Sequence, residues 1–167
     1  MQPIIAIRYI DALYFKKDEK FSFDKFKTHV AVGKLVSFNN HIMLCFTERG
    51  GLCQTGLLIP KEAIILEKEN ILSNVDIHDL QSKIGSDIGL FWKDIVHFVK
   101  GKMPNHCPVM YSEGEFFSST TDAIIVKNPE TIITGQERPL NHPPEKASFV
   151  VIPKSIITDI EFYDKKL

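Results

Sequence analysis

Histidine, cysteine and the carboxylates are the side chains of this sequence with chemistry to offer, and their spacing decides whether any of it can be assembled. His78, His97 and His106 stand with Cys107 near one another in the chain, but neither an HxxxH nor a CxxC spacing joins them, so they are read as incidental and no metal site is expected. Cys45, Cys53 and Cys107 are an odd number without a close pair, a pattern of neither a disulfide framework nor a zinc knuckle, and reduced thiols are expected. Ser118 to Thr121 form no nucleophile elbow. Arg49-Gly50-Gly51 is the nearest approach to a phosphate loop and reads as a turn. The carboxylates Asp18-Glu19, Glu67 and Glu69 sit in charged segments where water would keep them ionised, so the raised pKa values that acid catalysis needs are not expected. No catalytic residue and no cofactor is expected, and the chain is read as a non-enzyme.

The elements that would carry these residues are mostly strands. Apolar, β-branched runs at Ile4 to Ile10, His29 to Phe38, His41 to Thr47, Thr55 to Ile59 and Ile64 to Lys68 predict strands, with a hairpin at Asn39-Asn40. Strand patterns return at Val109 to Tyr111, Glu115 to Ser118, Ala123 to Lys127, Ser148 to Ile152 and Ile156 to Tyr163. Between the two groups, Ile77, Leu80, Ile84, Ile88, Phe91, Ile95 and Phe98 recur at steps of three and four. That spacing predicts one long helix from about Asn74 to about Lys100, opened by Ser73 and Asp76 and closed by Gly101 and Pro104. Residues 16 to 27 are expected as a loop or short helix with a solvated face, and the proline-rich stretch 134–147 as an exposed loop. Trp92 and Phe116-Phe117 are read as core. A composition of 44% hydrophobic and 25% charged side chains is globular, and a formal net charge of −1 gives no wide electrostatic footprint for duplex nucleic acid. No apolar run approaches the ~20 residues of a membrane helix, and the N-terminus lacks a basic leader, so a cytoplasmic protein without a membrane partner is expected.

Two segments repeat. Gly33 to Phe46 (GKLVSFNNHIMLCF) lies over Gly114 to Lys127 (GEFFSSTTDAIIVK) without a gap, and Leu57 to Ile64 (LLIPKEAI) matches Val150 to Ile157 (VVIPKSII), sharing Ile-Pro-Lys. Pro60 and Pro153 suit a sharp break between strands, and Gly33 and Gly114 suit a bend within one.

These segments resemble the two motifs of the Sm and Sm-like family. Val32 to Phe46 is similar to the first motif, with Gly33, Leu35, Phe38, Asn39, His41 and Leu44 at matching places; LLIPKEAI and VVIPKSIITDIEF are similar to the second. The resemblance implies a mainly β fold: two small, strongly bent Sm-like (SH3-like) barrels, 1–72 and 73–167, with one long α-helix between them. It further implies oligomers, rings or closed assemblies formed by strand-edge pairing. In that family a base of uridine-rich RNA is held by the His and Asn of the first motif and an arginine of the second. Here His41 matches the His, but Met43 replaces the Asn, Pro60 and Pro153 replace the arginine, and Asp122 stands where the first copy has His41. The expected ligand-binding residues are therefore His41, Asn39, Lys61 and Lys154. They are assigned to a weak single-stranded RNA or other nucleic acid, or alternatively to a small anionic ligand such as a nucleotide; a pure protein–protein scaffold is the third reading.

Overall fold

The computed structural model describes residues 3–38, 40–65, 80–102, 104–134 and 147–163. Eleven strands follow in chain order: β1 (Ile4–Tyr9), β2 (Leu13–Lys16), β3 (His29–Phe38), β4 (His41–Arg49), β5 (Leu52–Pro60), β6 (Asp87–Lys93), β7 (Val96–Phe98), β8 (Val109–Ser119), β9 (Ala123–Ile133), β10 (Ala147–Pro153) and β11 (Ile157–Tyr163). Short 3₁₀ turns occupy Lys61–Ala63, Leu80–Lys83 and Lys154–Ile156. The strands form two antiparallel sheets in the orders β1-β3-β4-β5-β7 and β11-β6-β8-β9-β10-β2.

Two expectations are corrected. The long helix is absent: among the described residues there is no α-helix, and its span holds a 3₁₀ turn, β6 and β7. Ile88, Leu90 and Trp92 alternate into the core with period two, whereas the helical count took Ile88 and Phe91 and passed over Leu90 and Trp92. Gly85 at φ +89° and the strand residue Gly89 add to the preference against helix. The proposed start at Ser73 to Asp76 lies outside the described residues. The closed barrels are absent as well, because each sheet stays open and ends on a strand from the other half of the chain. β2 leaves β1 and pairs with β10; β7 leaves β6 and pairs with β5.

This exchange is reciprocal down to the register. Leu57 faces both Leu44 and His97, as Val150 faces both Val126 and Tyr14. Tyr9 bridges Ile64 just after one 3₁₀ turn, as Trp92 pairs with Ile157 just after another. Both prolines end their strands and lead into 3₁₀ turns, where the missing N–H costs no ladder bond. The gap-free alignment of the hairpins does not survive: His41 opposes Pro60, but Ala123, not Asp122, opposes Pro153, so the second hairpin turn is one residue longer.

Side chains from the inner faces of both sheets interdigitate in one core that includes Leu44, Leu57, Ile59, Leu90, Trp92, Phe116 and Ile152. Each outer face carries a smaller cluster. Phe21, Phe23 and Phe26 of the charged stretch 16–27 cover Ile125 and Val151, with Phe21 stacked on Phe149 at 4.3 Å between ring centroids. On the other sheet Met43, Leu58 and Phe98 pack with Cys53 and Cys107. A Cβ at Gly56 would overlap the Leu44 carbonyl and the Phe98 ring, so glycine there is what lets β7 dock closely.

Cys45 and Cys53 are bridged across β4 and β5 with Cα atoms 5.8 Å apart, correcting the expectation of reduced thiols. Ladder irregularities between Cys45 and Glu48 shift the register and bring the two residues within bridging distance. Closing this short loop is worth about 2.5 kcal/mol on the chain-entropy estimate. Cys107 is free and half-buried, with its pKa pushed up to about 12, first by burial and then by Glu62 and Asp94 against the opposing pull of Lys93. Denatured, unreduced protein should therefore take up one alkylating group and reduced protein three. Reduction should lower unfolding stability by roughly 2 kcal/mol in a denaturant titration.

Candidate functional site

The ionisable residues that the fold gathers lie where the chain crosses between sheets. After β1, Asp11 accepts the Ala12 N–H at 2.8 Å; after β6, Asp94 accepts the Ile95 N–H at 2.8 Å. Each aspartate thus fastens the turn that redirects the chain into an exchanged strand, two residues before that strand begins. The two following strands carry Tyr14 and His97 at register-equivalent positions.

Electrostatics couples the two crossings. Burial raises the Asp94 carboxyl to about 6, helped by the nearby negative charge of Asp11 and opposed by the bond from Ile95. Asp11 is also raised by burial, while its own backbone bond and the positive charge available at His29 and His97 pull the other way. Tyr14 is raised by burial and then by Asp94, with a hydrogen bond to Thr131 opposing. Tyr14 is the end of a polar chain through the interior. The Thr131 hydroxyl meets the fully buried Ser112 hydroxyl at 2.8 Å, and the Trp92 indole N–H donates to Ser112 at 2.9 Å. Tyr9 closes the region by stacking on His29, with 5.3 Å between ring centroids. Two half-buried carboxyls with raised pKa values, a phenol and two imidazoles make a proton-binding cluster. Among the described residues no group of three or more His, Cys, Asp or Glu is placed to hold a metal ion.

The residues expected from the sequence lie elsewhere. His41 is half-buried at the start of β4, and Lys61 is exposed in the adjoining 3₁₀ turn, its backbone N–H donating to Asn40 at 3.3 Å. Lys154 is fully buried in the equivalent turn, and its ammonium donates to the Thr120 carbonyl. Burial lowers its pKa, with Asp122 opposing. The two turns pack against one another, but Lys154 is committed to its own half. Asn39 lies outside the described residues.

The aspartates carried a legible signal that the two longer repeats hid. Asp11-Ala-Leu-Tyr-Phe15 and Asp94-Ile-Val-His-Phe98 are a third matched pair, each an aspartate followed by a short apolar strand. No family model, curated protein or solved structure matches the chain.

The contrast between the two lysines is measurable. Lys154→Met keeps the buried stem but leaves the Thr120 carbonyl with only the long 3.4 Å bond from the Ser119 hydroxyl, and should cost about 1–3 kcal/mol of unfolding stability. Lys61→Met, at the exposed equivalent, should change it by less than about 0.5 kcal/mol.

Proposed function

We propose that the chain is a non-enzymatic binding and assembly protein that docks a second copy of itself through the outer face of β1 and β3. The carrying observation is that Ile4, Val30 and Val32 are 76%, 60% and 58% exposed on paired strands. The register sets Ile4 against Lys34, Ala6 against Val32 and Arg8 against Val30, so these residues form one contiguous stripe. Water-facing β-branched residues in a group mark a contact surface. The stripe is bordered by both signs of charge, because Lys34 holds Glu48 at 2.9 Å beside it. Both signs of charge beside one patch let it face its own copy without like-charge repulsion across a two-fold contact.

The burial of Lys154 and a net charge of −1 favour this reading over a nucleic-acid or nucleotide ligand held by His41, Lys61 and Lys154. The matched registers of the two sheets support descent of both halves from one duplicated unit. No helix among the described residues is long and apolar enough to cross a membrane. A cytoplasmic residence belongs to the proposal and requires the Cys45–Cys53 bridge to be transient, since cytosolic thiols are kept reduced.

Sedimentation should show a reversible dimer. Val30→Thr with Val32→Thr keeps strand-forming residues and should weaken the dimer roughly tenfold, about 1–2 kcal/mol. A wild-type protein that stays monomeric at high concentration sinks the proposal, and salt-sensitive binding of a labelled oligonucleotide by that monomer would revive the nucleic-acid reading.

A further inference from the structure

We propose that Asp11 and Asp94 form a proton-operated clasp on the exchanged strands, tightening β2 and β7 against their host sheets when one carboxyl takes a proton and loosening them when both are ionised. The geometry carries the argument. These two aspartates sit where the chain crosses into the two exchanged strands, each bonded to the backbone N–H that opens the turn. The strands they launch are the shortest of the fold, four residues in β2 and three in β7. Such strands contribute few ladder bonds, so a local electrostatic change weighs heavily on them.

The groups facing the pair point the same way. Asp11 faces His29 of β3 and His97 of β7; Asp94 faces Asp11, Tyr14 of β2 and Cys107, beyond which Lys93 and Glu62 pair at 2.8 Å. Lys93 already has its partner, so it does not neutralise the aspartates. The Asp94 carboxyl, at about 6 when folded against an ordinary 3.8, binds its proton more tightly in the closed arrangement than in the open one. Its contribution is fully present below the ordinary value and is lost as pH rises through the folded value. The clasp therefore tightens as pH falls through the interval from 6 to 3.8, and stays loose above it.

Trp92 reports on the event from within, because it is the chain's one tryptophan, lies two residues before Asp94 and is linked through Ser112 and Thr131 to Tyr14. The test is amide exchange of Leu13 to Phe15 and Val96 to Phe98, corrected for intrinsic rates, together with quenching of Trp92, each followed against pH in the intact chain. Protection of both strands should rise about tenfold or more between pH ~7 and pH ~4.5, and Asp94→Asn, which retains the acceptor for Ile95, should flatten the profile. Asp11→Asn should flatten it in part by removing the repulsion, and serves if the first variant does not fold. His29→Gln with His97→Gln should leave a clear pH dependence. A flat wild-type profile, an unchanged one in either aspartate variant, or its disappearance in the histidine variant would overturn the clasp.

Discussion

A strand inside a sheet needs a partner on each edge of its backbone, and in this molecule β5 and β10 find the second one only in the other half of the chain. β5 would present bare N–H and C=O groups at its far edge without Val96–Phe98, and β10 would do so without Leu13–Lys16. The rest follows from satisfying those edges. The chain must cross into each exchanged strand and back out of it, the inner faces must come together into a common core, and the loops after the exchanged strands must fold back over the outer faces. Residues 17–28 do this with three phenylalanines on one sheet, and Cys107 belongs to the corresponding cover on the other.

The same crossings explain where charge is tolerated inside. An aspartate at a turn between layers satisfies the backbone at the cost of its own hydration. Burial raises the proton affinity of Asp94, and the second turn lies close enough for the charge of Asp11 to add to it. The buried Lys154 solves its problem differently, by reaching a main-chain carbonyl in its own half, near Asp122.

Strands were the part of the fold most readable from sequence, because alternation and β-branching act locally. The runs at 29–38, 41–47 and 123–127 lie within observed strands, and the run at 156–163 does so in all but Ile156, which closes a 3₁₀ turn. The helix failed because residues 84–98 combine two periodicities, and Ile88 and Phe98 serve either count; Trp92, which fits only the strand, decides between them by its burial. Neither the strand exchange nor the disulfide was legible. Cys45 and Cys53 become neighbours only through ladder irregularities that no spacing rule encodes. The carboxylate pair was half legible: each aspartate opens a matched pentapeptide, but that the two meet depends on the crossing of β2 and β7. His41 and Lys61 are near one another in a corner of the first sheet, whereas Lys154, alike in sequence, is taken up by its own turn.

Reciprocal exchange also imposes an order on synthesis. A ribosome releases β5 well before the residues of β7 that complete its edge, and β2 must wait longer still for β10. During translation the first half of the chain therefore exists with an open, apolar, hydrogen-bond-hungry rim, the state from which misassembly and chaperone capture begin. The contacts that join the halves span long stretches of sequence, a property that slows folding. The nascent chain reaches its finished architecture only when β10, close to the C-terminal end of the described strands, has emerged and accepted a strand made near the beginning.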